Sequence, residues 1–262
     1  MEQIESFPNE ESPSERKCNS CGVGLAQHAI FCPSCGIKID EEEQSTNSDV
    51  IQTLAPSFVY YFLTLIILAV YKLTSLFDDS FESLVIVTVV DVILVLFFWF
   101  YFSKSLAPLF SVRSVQIPII LKVIAGCIAG AVAGYYIADL INLALFDDTS
   151  YSYGIFMGTS HPELYAILFV CVQPAIFEEV AFRGFLFNNI QEVAPKDATV
   201  YITAVLFGIM HLAFLGLFYL IPIGIAFALL RSKYNTLWYG IIGHFIYNFT
   251  ITALEYINLY YI

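Results

Sequence analysis

Charge is scarce in this chain. Only 13% of its 262 residues are Asp, Glu, Lys or Arg, and just 11 are cationic. So few cations cannot neutralise a phosphate backbone, which excludes a nucleic-acid binder. Polar runs are missing beyond about residue 55, and 58% of the chain is hydrophobic, which excludes a soluble domain of this length. Residues 1–17 are polar and acidic and contain no apolar core for a secretory leader. Several protease signatures are absent as well. There is no HExxH zinc motif, no Gly-x-Gly-Asp aspartyl motif, and no GxSx serine paired with a histidine in a membrane span.

What is present is a series of apolar spans. Seven are long enough, or nearly so, to cross a ~30 Å hydrocarbon core: 56–77, 82–102, 117–146, 162–190, 198–214, 217–231 and 236–262. Each must be helical, because lipid offers no partner for backbone amides. The fifth and sixth are short, and Pro174 gives the fourth a place to kink. The fold class is therefore all-α, a polytopic transmembrane bundle of about seven helices.

Upstream, residues 1–16 read as a disordered acidic tail, 17–37 as a metal ribbon, 38–55 as a solvated linker, and 56–262 as the membrane domain. Lys104, Arg113, Lys196, Arg231 and Lys233 fall in alternate loops. Asp78, Asp79, Glu82, Asp147, Asp148 and Glu163 fall in the others. The positive-inside rule then places the N-terminus in the cytoplasm and the C-terminus outside. Lys72, near the outer end of the first span, dissents and can snorkel. Gly126, Gly130 and Gly134 form a small-residue face for close helix packing. The aromatic run from Phe97 to Phe102 reads as an interfacial belt.

Cys18, Cys21, Cys32 and Cys35 form a CxxC-x10-CxxC pattern, each pair followed by a glycine. Four thiolates suit tetrahedral Zn2+, two neighbouring corners per CxxC turn, and each glycine suits a turn needing φ > 0. A cytoplasmic setting disfavours disulfides. This is expected to be a structural zinc ribbon, with His28 a loop residue; its binding partner is not legible. Cys127 and Cys171 read as small buried hydrophobes.

The costliest feature is Glu178-Glu179-Val180-Ala181-Phe182-Arg183, set in the fourth span. Ionisable residues at membrane depth cost a few kcal/mol each and mark functional sites. On an α-helix Arg183 lies about 40° from Glu179 and about 140° from Glu178. Glu179 and Arg183 can neutralise each other, which leaves Glu178 free as a general base or a metal ligand. Phe207 and His211, then His244 and Asn248, stand one turn apart in later spans. At ~1.5 Å per residue, Glu178 and His211 lie about 20 Å deep, Asn248 about 18 Å and His244 about 12 Å. These positions can share one layer. Asp91, in mid-span two, was expected to meet Lys122 or a cavity in a structural role. Asp139, His161 and Glu163 read as solvated.

The ordered set Glu178-Glu179-xxx-Arg183, Phe207-xxx-His211 and His244-xxx-Asn248 resembles the three motifs of the CAAX-protease and bacteriocin-processing (CPBP, Abi) superfamily, which includes the type II CAAX prenyl endopeptidase. The similarity covers about residues 115–262. The resemblance implies an integral membrane endopeptidase of CAAX-processing or bacteriocin-processing and immunity type. In it, Glu178 and His211 activate a water, and His244 and Asn248 bind the site or the oxyanion. Glu179 and Arg183 lend support. Two histidines and a glutamate could also hold a catalytic Zn2+, so metal-dependent and glutamate-dependent hydrolysis both stay open. Partners would be the bilayer and a peptide or protein substrate, lipidated or membrane-bound. The alternatives are an inactive scaffold or immunity protein of the same fold, and a proton-relay transporter, which lacks visible inverted repeats.

Overall fold

Among the described residues the chain folds into seven long helices. The computed structural model describes residues 16–26, 29–39, 47–146 and 152–261. The acidic tail up to residue 15, His28, most of the acidic linker run (40–46), and Asp147 and Asp148 lie outside the described residues. The helices are α1 (Asn47–Leu73), α2 (Phe81–Tyr101), α3 (Ile117–Phe146), α4 (Pro162–Val193), α5 (Lys196–Met210), α6 (Leu217–Tyr234) and α7 (Trp238–Tyr261). α1, α2, α3, α4 and α6 are long and apolar enough to cross a membrane. α5, at 15 residues, rises only about 22 Å and falls short. α7 has the length, but His244, Asn248, Glu255 and Asn258 dilute its apolarity.

The start of α1 departs from the sequence expectation. The helix begins at Asn47 rather than near Pro56. Pro56 can sit inside a helix where the neighbouring backbone is held from outside. Asn189 on α4 does this, donating to the Thr53 carbonyl at 3.1 Å and to the Ser57 hydroxyl at 2.8 Å. The last residues of the expected linker are thereby drawn into the bundle.

α4 is helical throughout but not α-helical throughout. Ile167–Val172 and Glu179–Leu186 are π-helical, with α-helical turns between them. Single π-turns are rare and gather at functional sites. Pro174 lies between the two. An amide at position 174 would bond the Val170 carbonyl in an α-helix, but proline has none. Asn248 of α7 donates to that carbonyl instead, at 2.8 Å.

α5 and α6 form a hairpin whose tip turns at Leu212, φ 50°. It packs so tightly that a Cβ on Gly224 would lie 3.2 Å from the Cα, Cβ and carbonyl oxygen of Ala204. The glycine face of α3 meets Tyr247 of α7 at Gly130 and Gly134, as expected, while Gly126 faces open space. The aromatic run splits. Phe97, Phe100 and Tyr101 are exposed, whereas Phe98 and Phe102 join Tyr60 and Phe185 in the main core. Cys127 and Cys171 are buried, as expected.

The ribbon is two matched turns. Gly22 and Gly36 have φ +72° and +75°, as their spacing requires. In each turn the glycine amide returns to the carbonyl of the first cysteine at 2.8 Å. One isolated bridge flanks each turn, Lys17 with Gly24 and Phe31 with Lys38.

Gly224→Val should force α5 and α6 apart and lower stability by about 1–3 kcal/mol, the usual cost of overpacking. Thermal unfolding in detergent micelles checks this. An unchanged midpoint would mean the two helices are not in close contact.

Candidate active site

The site forms where α4, α5 and α7 meet. Glu179 is fully buried, and its Oε1 accepts from Arg183 Nη1 at 2.9 Å. The pairing expected one turn along the helix is therefore made. Arg183 Nη2 also donates to the Gly224 carbonyl at 3.2 Å, and its guanidinium lies 4.3 Å from the centroid of Phe207. The Glu179 Oε2 side presses into the notch left by Gly240 on α7, where any Cβ would collide with the carboxylate.

His244 stands between the two glutamates. Its Nδ1 lies 3.3 Å from Glu179 Oε1, and its Nε2 lies 3.9 Å from Glu178 Oε2. A carboxylate only accepts, so Nδ1 carries the proton in that contact and Nε2 is turned to Glu178. His211, at the end of α5, has Nδ1 2.9 Å from the Phe207 carbonyl. A carbonyl also only accepts, so His211 is likewise protonated at Nδ1 and offers the Nε2 lone pair. His211 lies within electrostatic reach of Glu178, His244 and Lys72. Phe207 packs edge-on against both rings, at 4.8 and 6.0 Å.

Glu178 is unlike its neighbour. Its side chain is 28% exposed where Glu179 is fully buried, although Oε2 of each carboxylate is buried and makes no hydrogen bond. At 3.9 Å from His244 it is too far for a direct one. An acceptor left bare in an apolar setting costs about 1–3 kcal/mol.

Asn248 is held differently from the other polar positions. Its side-chain nitrogen is committed to the Val170 carbonyl, so binding an oxyanion would require it to release α4 at Pro174. Asp91 meets Gln173 of α4 at 3.3 Å, not Lys122, and lies within electrostatic reach of Glu178. His161 and Glu163 are exposed, as expected, and Asp139 is half-buried.

Three contributors escaped sequence reading. Gly240 admits Glu179, and its only signal was its place one turn before His244. Lys72 donates to the His211 carbonyl at 2.8 Å, which gives the cation a partner beyond the interface. A lysine at a helix C-terminus satisfies a carbonyl that the helix leaves open. Arg231, 3% exposed, donates from Nε to the Arg183 carbonyl at 2.9 Å and fixes the backbone of the site.

Among the described residues, Cys18, Cys21, Cys32 and Cys35 are the one group of three or more potential ligands that converge, all within 4.8 Å of one another. The amides of Ser20 and Cys21 aim at Cys18, and those of Ser34 and Cys35 at Cys32. Such amide-to-sulfur contacts favour the thiolate, the form that binds metal. This set can hold a metal ion such as zinc. Glu178, His211 and His244 do not converge in this way, so as placed they are not a ready ligand set.

Residues 160–250 match the family model described as Rce1-like, type II CAAX prenyl endopeptidase Rce1-like. The matched stretch lies inside the expected 115–262 and contains Glu178, Glu179, Arg183, His211, His244 and Asn248. It supports an intramembrane peptidase of CAAX type in a multi-pass membrane protein. No curated protein and no solved structure matches the chain significantly.

Arg183→Met should leave Glu179 buried and uncompensated, at a cost of about 3–5 kcal/mol. Arg183→Met/Glu179→Leu should recover most of that loss. Denaturation in mixed micelles reads both, and a harmless single variant would show that the pair is not buried as described.

Proposed function

We propose that this protein is an intramembrane endopeptidase in which Glu178 activates a water for attack on a peptide carbonyl. The observation that carries the reading is the bare Oε2 of Glu178 set 3.9 Å from His244 Nε2. A water bonded to both at ~2.8 Å subtends an angle of about 90° between them, an ordinary geometry for a bridging water. Glu178 takes the proton of that water as it adds to the carbonyl carbon. The same carboxyl then gives the proton to the leaving amine, so that the step ends with a new C-terminus, a new N-terminus and Glu178 ionised again.

His244 accepts the second hydrogen of the water, and His211 offers an acceptor for the proton on its way to the leaving amine. His211 presents Nε2 because Phe207 occupies Nδ1, and His244 presents Nε2 because Glu179 occupies Nδ1. Glu179 thus orients His244, and Arg183 holds Glu179 in place. Asn248 acts here as a positioning residue, through the Val170 carbonyl. No step is routed through a second metal ion, given the spacing of Glu178, His211 and His244. Structural zinc in the ribbon, held by Cys18, Cys21, Cys32 and Cys35, belongs to the same proposal.

The proposed orientation puts the ribbon in the cytoplasm, from the Lys and Arg of the loops at its end of the bundle. A site inside the membrane domain suits a substrate whose scissile bond is already at the bilayer, through a lipid group or its own apolar segment. CAAX processing and peptide maturation both fit that class.

Glu178→Gln keeps the shape and removes the base, so cleavage should fall roughly a thousandfold. Proteomics of cells carrying wild-type or Glu178→Gln protein should find new C-termini only with the wild type. Proteolysis retained by the purified variant would refute the role, and an identical set of termini would favour the scaffold reading. Metal analysis should give one zinc per chain, lost in Cys18→Ser/Cys32→Ser. A second equivalent that disappears with Glu178→Gln would move the catalysis to metal.

A further inference from the structure

The ribbon is the largest feature that this chemistry leaves unused. Its second half makes specific contacts with the bundle. The amides of Ile30 and Phe31 both donate to the Glu192 carbonyl, at 2.8 and 3.0 Å. Gln191 Nε2 donates to the Cys32 carbonyl at 3.3 Å, and Asn235 Nδ2 to the Ser34 hydroxyl at 3.4 Å. Gly36 lies so close to Lys196 that a Cβ would come within 3.0 Å of its side chain. Every one of these contacts comes from the Ile30–Gly36 half of the ribbon. Glu192 and Gln191 end α4, the helix that carries Glu178, Glu179 and Arg183.

A chain of polar contacts runs from that half of the ribbon to the site. Ser34 meets Asn235, the left-handed residue that closes α6. Asn235 Oδ1 accepts from Arg231 Nη1 at 2.6 Å, and Arg231 Nη2 donates to Asn188 of α4 at 2.5 Å. Arg231 Nε holds the Arg183 carbonyl, and Arg183 holds Glu179. Arg231, Asn188, Arg183 and Glu179 are buried, and Ser34 and Asn235 are half-buried. The carbonyls of Glu192 and Arg183 are end groups that a helix terminus and a π-turn leave short of partners, so each outside donor fixes the register of α4.

The ribbon itself has almost no core. Cys18, Ala29 and Cys32 are its buried apolar residues. A piece of this size holds its shape only with its metal bound. Removing a metal held there should therefore loosen its contacts with α4 and Asn235.

We propose that the metal-loaded ribbon is a positioning module for α4, setting Glu179 and Glu178 against His244 through Glu192, Gln191 and the Ser34–Asn235–Arg231–Arg183 chain. It rests on the peptidase reading for its effect on turnover, and on the geometry alone for the brace. The ribbon touches no reacting atom. Losing it lets the end of α4 fray, and a shift of about 1 Å at the carboxylates costs up to a hundredfold in rate.

The test uses the full chain in phosphatidylcholine–phosphatidylglycerol vesicles. Zinc-loaded wild type is compared with Cys32→Ser/Cys35→Ser and, with the metal retained, Gln191→Ala/Asn235→Ala. Hydrogen exchange is read at residues 187–193 and 231–236. Turnover is read on a quenched fluorescent peptide ending in a farnesylated CAAX sequence. The cysteine variant should exchange faster at both segments but not along α3, and its kcat should fall ten- to a hundredfold with KM little changed. The metal-retaining variant should move the same way by less, which separates bracing from general unfolding. Unchanged exchange at 187–193 in the metal-free variant overturns the brace. Faster exchange with unchanged kcat overturns its role in positioning. Wild type that leaves this peptide uncut defeats the CAAX-processing reading, and the exchange pattern then decides on the brace by itself.

Discussion

A carboxylate and a guanidinium buried together inside an apolar bundle form the constraint on which the site depends. Glu179 is fully buried and Arg183 1% exposed. Either would be costly there alone, since an unpaired charge in hydrocarbon costs several kcal/mol. Paired, they also make hydrogen bonds or close contact with three other helices: Gly224 of α6, His244 and Gly240 of α7, and Phe207 of α5 all touch the pair. The pair therefore locks the relative placement of those helices. By occupying one nitrogen of His244 it also decides which nitrogen faces Glu178. Support and chemistry are divided between two adjacent residues of the same type, because successive helical positions face different partners.

Much of this was legible in the sequence, for clear reasons. Seven apolar stretches betray seven helices, because an apolar run must pair its backbone internally, although only five of those helices are long and apolar enough to cross a membrane. Glu178, Glu179, Arg183, His211 and His244 stand out because polar residues are rare in such spans, and the structure brings all five together. The two ribbon glycines are equally readable, since a CxxC turn needs a residue with positive φ after it.

The misreadings share one cause: they assumed regular helices and local partners. The 100° rule gave the right pairing for Glu179 and Arg183, yet the helix they share is π-helical from Glu179 onward. Asn248 looked like an oxyanion donor because its partner, a carbonyl bared by Pro174, lies 78 positions away. Lys72 looked like an interfacial stray because its partner is a backbone carbonyl 139 positions distant. The early start of α1 depends on Asn189, which no window around Pro56 contains. Backbone carbonyls with open valences, and the distant side chains that close them, are invisible to periodicity.

The central claim is that both histidines are held at Nδ1, which leaves Nε2 open on each and turns that of His244 toward Glu178. Nitrogen chemical shifts of 15N-histidine in the full chain, reconstituted in lipid, read this directly. The signals of His211 and His244 are assigned by loss in His211→Gln and His244→Gln. The account predicts a protonated Nδ1 on both rings. A neutral ring protonated only at Nε2, at either position, would mean that the Phe207 carbonyl or Glu179 does not hold it, and the proposed arrangement for activating water would be wrong.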